Sequence, residues 1–436
     1  MLKLLFDRKF YPLFCVQFFG AFNDNLFKNA LVILITFRLS HSAEQTGLLI
    51  TLAAGLFILP FFLFSSLAGQ IADRYSKSFL VKKIKLSEVL IMLIGVLALQ
   101  SQNLVLLFTT LFLMGSQSAF FGPIKYALLP EIFERKTLIR ANSLFSGSTF
   151  IAILLGTIAG GLGILADNGI TIMSVSIIVV AVVGYLFSLL IYKSKEADSQ
   201  LNINWNIATS TWGLIKQSQA HSIAWISIVS ISWFWFIGAT LLSQMPNLVK
   251  YELQANDEVV VWFLTLFSIG IAFGAVLVSF LMKNRVHLYW HWLFMLGITV
   301  SLFLTIWAVS AELGSYQVPR ETLMGISELI GLWPTNLSLL FMALLALLGG
   351  MYIVPLYTLL QTYTPFSVRA RMVAVNNVFN AFLMVLSALL IMLGFALSLS
   401  LLQMLGLLAI VNLFVVALLF KSRNLISSFK RNLQSN

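Results

Sequence analysis

Charge is scarce in this sequence. Asp, Glu, Lys and Arg make up 10 % of its 436 residues, where a soluble domain carries about 25 %. With 59 % hydrophobic residues and a mean hydropathy of +0.95, a soluble globular chain is excluded. An all-α polytopic membrane protein is expected instead. Cysteine is nearly absent: the single Cys15 forbids an intramolecular disulfide and leaves no thiol pair for redox or zinc chemistry. It is read as a small buried apolar residue. Histidine is almost as sparse, with His41, His221, His287 and His291 scattered at predicted ends and loops. No metal-ligand cluster and no cofactor are expected. No HxxxxD and no G-x-S-x-G occurs, which argues against an enzyme. The start, MLKLLFDRKFYPLF, lacks a small-residue cleavage site and is read as a cytoplasmic segment leading into the first helix.

What is abundant is apolar runs of the ~20 residues that a helix needs to cross a bilayer. Bounded by Gly, Pro or charge clusters, they predict twelve spans: 10–38, 46–70, 79–100, 103–129, 139–165, 170–192, 223–249, 258–282, 288–310, 336–362, 370–395 and 398–420. An even number puts both termini on one side. If that side is the cytoplasm, 22 of the 27 basic residues fall inside, including Arg74, Lys77, Lys82, Lys83 and Lys85 around the junction of spans 2 and 3. That is the bias that orients membrane proteins. The net charge of +11 is then topology, and no nucleic-acid partner is needed. The polar stretch 193–222 is a central cytoplasmic linker, dividing an N-terminal six-helix bundle (1–192) from a C-terminal one (223–420). A basic cytoplasmic tail, 421–436, follows. A second long loop, 311–335, lies outside; its ETLMGISELIGLW reads equally as a helix flat in the interface or as plain loop.

The two halves echo each other. GPIKYALLPE (122–131) precedes RANSLF (140–145), as VPLYTLLQTYTP (354–365) precedes RMVAVNNVF (371–379). Pro123 aligns with Pro355 and Asn142 with Asn376, at offsets of 232 and 234. Six plus six helices with a parallel repeat resembles the plan of the major facilitator superfamily. GQIADRYSK, 69–77, resembles that superfamily's G-x-x-x-D-R-x-G-R/K signature, with Ser76 in place of the second Gly. Gly69 would permit close helix approach. Asp73 would meet the positive N-terminal end of a neighbouring helix, and Arg74 and Lys77 would stay in the cytoplasmic loop. Together they would lock one face shut. The matching SFLMKNR, 279–285, lacks the acid.

Ionisable residues inside a bundle are costly and usually functional. In AFNDNLFKNA, 21–30, Asp24 and Lys28 are four apart and share a helix face, with Gln17 on the same stripe. Lys125 follows Pro123 and adjoins Tyr126 in span 4. Asn142, and Asn376 with Asn377 and Asn380, add polar surface in spans 5 and 11. One acid and two bases would suit a zwitterion bearing a phosphate, its ammonium on the acid and its phosphate on the lysines. The bland alternative is an Asp24–Lys28 or Asp24–Lys125 pair that neutralises itself. Glu88 is read as a boundary residue of span 3. Trp233, Phe234, Trp235 and Phe236 read as packing or, more sharply, as an apolar wall for an acyl chain.

FNDN in helix 1, GQIADR, FFGPIKYALLPE, ANSLFSGSTFIAILLGTIAGG and SWFWFIGAT together resemble the lysophospholipid transporter family. The likeness is nearest to the transporter portion of bacterial chains that fuse it to an acyltransferase and an acyl-ACP synthetase. The resemblance implies a multi-pass protein of the bacterial inner membrane that carries lysophospholipids, chiefly lysophosphatidylethanolamine, to the inner leaflet among membrane lipids by alternating access. It implies headgroup contact by Asp24 and Lys125; on the reading of the residues themselves, Lys28, Tyr126, Asn142 and Asn376 are expected to complete the polar pocket. The family's stand-alone branch has an arginine soon after GAT in span 7; here Leu241, Leu242 and Ser243 follow. The phosphate role is thereby shifted to Lys28 and Lys125. No acyltransferase motif follows KSRNLISSFKRNLQSN, so a separate acyltransferase/acyl-ACP synthetase is the expected partner. The rival reading is a proton-coupled exporter of drugs or other small amphipaths with Asp24 as proton carrier. Against it, GTIAGG (156–161) has Thr157 where such antiporters typically carry proline. Gly156 and Gly160 are more simply close helix packing.

Overall fold

The computed structural model describes residues 2–39, 43–282, 290–313, 323–330 and 332–434. Fourteen α-helices are present among them: α1 (Phe10–Leu34), α2 (Ala43–Arg74), α3 (Lys77–Ser101), α4 (Leu104–Ile132), α5 (Arg135–Leu165), α6 (Gly169–Leu189), α7 (Ile207–Gln219), α8 (Ser222–Asn247), α9 (Asp257–Leu281), α10 (His291–Leu313), α11 (Ile326–Leu329), α12 (Trp333–Tyr363), α13 (Arg369–Ala396) and α14 (Leu401–Gln434). Eleven are long and apolar enough to span a membrane. The remaining long helix, α1, has 25 residues but is diluted by Asn23, Asp24, Asn25, Lys28 and Asn29. The all-helical expectation holds. The repeat partners Pro123 and Pro355 lie in α4 and α12, and Asn142 and Asn376 in α5 and α13.

Two compact units are formed: Met1–Ser232 with Thr358–Phe382, and Trp233–Tyr357 with Leu383–Asn436. In the first, α1 is the central packing element, lying against α5, α6 and α4. Its approach to α5 is made possible by glycine. A Cβ on Gly156 would lie 2.5 Å from the Phe22 carbonyl oxygen, and one on Gly160 2.3 Å from that of Leu26. The packing is pinned by Asn29 Nδ2, which donates to Thr157 Oγ1 at 3.1 Å. Thus the glycines read as packing residues do pack, and they hold the helix that carries Asp24. Gly160→Ala is expected to lower the melting temperature sharply, since over-packing costs about 1–3 kcal/mol and its clash is with backbone. Gly161→Ala is the control: its Cβ would meet nothing nearer than Ile33 at 4.0 Å. Equal melting of the two variants in detergent would contradict this packing.

The polar linker is more structured than its composition suggests. Ser194 bonds to Ser76 and Ser78, and Asn204 and Ser210 bond to Gln70 of α2. The linker then forms α7, capped by Asn206, whose side chain accepts from the Thr209 N–H. In the second unit, the loop 311–335 contributes the single turn α11, and Met324 exchanges backbone hydrogen bonds with Gln254 and Asn256 at 2.9 and 3.0 Å. Residues 314–322 and 331 of that loop lie outside the described residues, as do Lys283 and Arg285 of SFLMKNR, His41 and His287.

Candidate functional site

Polar residues on α1 are sorted by the faces they occupy. Gln17 is used by α5: it donates to Ser148 Oγ at 2.9 Å and accepts from Thr149 Oγ1 at 2.9 Å. Asn25 turns back on the Ala21 carbonyl. Asn23, fully buried, crosses to α3 and donates to Glu88 Oε1 at 3.2 Å. Asp24 faces α4, where Ser118 Oγ donates to its Oδ2 at 2.6 Å. Asp24, Lys28 and Lys125 are each only partly buried.

No ion pair within 4 Å joins Asp24 to Lys28 or Lys125 among the described residues. The self-neutralising pair considered from the sequence is therefore not formed. Instead the ammonium groups rest over aromatic rings: Lys28 lies 5.6 Å from the Phe57 centroid, and Lys125 5.8 Å from Phe121 and 5.4 Å from Tyr126. Such contacts hold a cation without neutralising it. Tyr126 is 9 % exposed and edge-on to Phe145. Its ring supports Lys125.

Glu88 is the main correction. It is 3 % exposed, three turns into α3, and forms an ion pair with Lys85, which is fully buried. It also accepts from Gln117 Nε2 of α4 at 3.1 Å. Neither Lys85 nor Glu88 belongs to a helix boundary or a cytoplasmic loop, because α3 begins at Lys77 with no loop beyond it to hold them. Their opposite charges at i and i+3 inside an apolar run were the available signal.

Two other expected residues lie elsewhere. Asn142 is fully buried and exchanges hydrogen bonds with Gln361 at 2.7 and 3.1 Å, with Thr358 as a third partner at 3.1 Å. Its amide is committed to a clamp between α5 and α12. Asn376 is also fully buried, with neither end of its amide hydrogen-bonded. The next residue, Asn377, has its amide nitrogen 2.5 Å from where a Gly122 Cβ would stand, one turn before Lys125.

At the end of α2, Asp73 is fully buried and caps the start of α13. It accepts from the backbone N–H groups of Ala370 and Arg371 at 3.0 and 3.1 Å, and from Arg371 Nε at 3.1 Å. A carboxylate there meets the positive end of the helix dipole. Arg371 also reaches Asp198 at 3.3 Å, while the Asp73 carbonyl accepts the N–H groups of Ala197 and Asp198. A Cβ on Gly69 would lie 2.5 Å from that of Ala374, so α2 and α13 touch there. The expected loop placement of the two bases does not hold. Arg74 ends α2, partly buried, with its guanidinium 5.5 Å from the Tyr75 centroid. Lys77 opens α3, is 1 % exposed and pairs with Glu131 at 3.0 Å. The turn between the helices is too short to hold them.

The second unit has an apolar character. A cavity of about 380 Å³ lies between α8, α13 and α14, lined by Trp233, Phe236, Leu386, Leu390, Met404 and Val411 among others. Trp233 is held there by Asn412, whose side chain accepts its indole N–H at 2.7 Å and donates to Thr299 at 2.8 Å. Among the described residues no three His, Cys, Asp or Glu side chains gather as metal ligands.

The family model of the Major Facilitator Superfamily matches residues 13–388. Relatives named lysophospholipid transporter LplT, from Yersinia pestis (strain Pestoides F) and Yersinia pseudotuberculosis serotype O:3 (strain YPIII), are 27 % identical over 391 residues, covering 86 % of this chain and 84 % of theirs. Among solved structures, a bacterial homologue of the iron transporter ferroportin in the outward-facing state aligns with a TM-score of 0.67 at 14 % identity, covering 94 % of this chain and 99 % of that one. The E. coli fucose:proton symporter FucP aligns with a TM-score of 0.68 at 11 % identity, covering 95 % and 98 %. At those identities the structural likeness speaks for the fold alone.

Proposed function

This chain belongs to the Major Facilitator Superfamily of membrane transporters, and from there we propose that it carries lysophospholipids, with lysophosphatidylethanolamine preferred, between the leaflets of a bacterial inner membrane. The observation that carries this reading is the set of Asp24, Lys28 and Lys125, which no direct ion pair joins among the described residues, in a chain similar to lysophospholipid transporters. The carboxylate offers an acceptor for the headgroup ammonium, and the two lysines offer donors for the phosphate. The cavity beside Trp233 and Phe236 supports an acyl-chain role for that wall, its volume falling in the ~300–1,000 Å³ range of small-molecule sites.

Movement proceeds by alternating access, the halves 1–192 and 223–420 rocking about the site, with Asp73 and Gly69 closing the cytoplasmic face. Both termini are cytoplasmic. A separate acyltransferase/acyl-ACP synthetase consumes the lysophospholipid and draws net flow inward, so no ion gradient is required.

Lys125→Ala is expected to slow flipping of fluorescent lysophosphatidylethanolamine in proteoliposomes by about tenfold or more, the worth of one hydrogen bond to a charged group. It should leave the melting temperature nearly unchanged, since among the described residues Lys125 makes no hydrogen bond or ion pair that the substitution would break. Wild-type flipping rates in that variant would remove the phosphate role from Lys125.

A further inference from the structure

The faces of α7 are reversed for a helix that packs on a bundle in water. Its inward stripe is Ser210, Leu214 and Ser218, two of them small and polar. Its outward face carries Trp212, 61 % exposed, with Lys216 one turn on. Trp205, 69 % exposed, stands in the segment that leads into it. A surface helix in water turns its large apolar side chains inward. Burying Ser210 and leaving Trp212 outside is favourable only where the outside offers apolar contact.

The depth of α7 identifies that outside. Ser210 is hydrogen-bonded to Ser66, Gln70 Nε2 donates to Ser210 Oγ at 2.6 Å, and the Asn204 N–H donates to Gln70 Oε1 at 2.9 Å. The spanning stretch of α2, Leu48–Arg74, has 27 residues, a length of about 40 Å. A bilayer measures ~40–45 Å with its headgroups, of which ~30 Å is hydrocarbon, so roughly the last 5 Å of α2 stand among headgroups. Gln70 and Ser66 precede Arg74 by four and eight residues, about 6 and 12 Å along the axis. The start of α7 therefore lies alongside the span, at the boundary of hydrocarbon and headgroups, and not beyond its end.

Cations paired with exposed rings recur at this end of the first unit. Lys9, just before α1, has its ammonium 4.6 Å from the centroid of Tyr192, just after α6. Ser194, two residues on, is bonded to Ser78 in the first turn of α3, and there Lys83 lies 5.5 Å from the centroid of Phe79. Lys216 lies 5.7 Å from that of Trp212. All three rings are exposed. Amphipathic aromatic side chains collect at the membrane–water interface, and basic residues held at that level are attracted to anionic lipid.

We infer that α7 lies in the membrane interface, and that Trp212–Lys216, Tyr192–Lys9 and Phe79–Lys83 form a docking surface for anionic phospholipid headgroups around this end of the unit. The occupant is the surrounding bilayer and not cargo, so the inference stands apart from the lysophospholipid reading. Depth favours lipid over a protein partner, because a face level with the hydrocarbon boundary meets lipid first.

Two measurements on protein reconstituted in vesicles test it. Cys15, the single cysteine, is replaced by alanine, and Trp212→Cys then carries a nitroxide. That label is expected to collide more often with oxygen, which concentrates in lipid, than with a water-soluble nickel chelate. Spin-labelled phosphatidylglycerol and phosphatidylcholine are then compared for the share of each immobilised on the protein. Wild type is expected to favour phosphatidylglycerol. Lys9→Gln/Lys83→Gln/Lys216→Gln, which changes only exposed lysines, is expected to shift that ratio toward equality at unchanged melting temperature. The inference is overturned if the label at 212 meets the chelate more than oxygen, which would place α7 in water as a face open to a protein. It is equally overturned if wild type holds the two lipids alike, or if the folded triple variant keeps the wild-type ratio.

Discussion

Asp24→Asn is expected to abolish the proposed lysophosphatidylethanolamine uptake while the protein still folds. The substitution is nearly isosteric, and Asn retains an oxygen for the Ser118 hydroxyl that now donates at 2.6 Å. No ion pair is broken, because none within 4 Å includes Asp24 among the described residues. What disappears is the negative charge that Asp24 would offer to a headgroup ammonium. A charge-assisted bond is worth ~1.5–3 kcal/mol, on the order of 10- to 100-fold in affinity, and the loss is compounded because Lys28 and Lys125 then face the ammonium uncompensated. Uptake in cells dependent on this transporter, read against monodispersity and melting temperature in detergent, checks the expectation. Normal uptake by the folded variant would take Asp24 out of the headgroup site.

Asp73→Ala has the largest expected effect on stability. Asp73 is fully buried and bonds two backbone N–H groups at the start of α13 together with the Arg371 side chain. Removing it leaves those donors unmet and strands Arg371, which is 8 % exposed, with only Asp198 as a carboxylate partner. Breaking a buried pair by deleting one side costs roughly 3–5 kcal/mol. Asp73→Asn, which preserves one acceptor oxygen, should fall between. The melting temperature and the transport rate are expected to fall together across wild type, Asn and Ala. A drop in transport at unchanged melting temperature would assign Asp73 to gating alone; no change in either would contradict the capping account.

The spans and Asp24 were legible in the sequence because both are local signals. An apolar run of bilayer length has few soluble alternatives, and an acid within one stands out against its neighbours. Gly156 and Gly160 were legible for the same reason, at the spacing that lets helices touch. Lys85 and Glu88 were hidden by company. Lys82 and Lys83 precede them, so a tally of basic residues absorbed Lys85 into topology, and Glu88 then read as the edge of a span. The structure separates them because α3 is helical from Lys77 onward and its buried face takes Lys85 and Glu88 inward.

Asn142 illustrates the opposite limit. An amide in an apolar helix has one sequence signature whether it binds cargo or another helix. Its partner Gln361 is 219 residues away, a pairing that no spacing rule predicts. Lys77 is a similar case, paired with Glu131.

The central claim, that Asp24, Lys28 and Lys125 together carry a lysophospholipid headgroup, is tested most directly by wild-type protein in liposomes containing fluorescent lysophosphatidylethanolamine, with and without an imposed proton gradient. The account predicts protein-dependent flipping at the same rate in both conditions. Absence of flipping, or movement that occurs only with the gradient, would contradict it and leave Asp24 as a proton site.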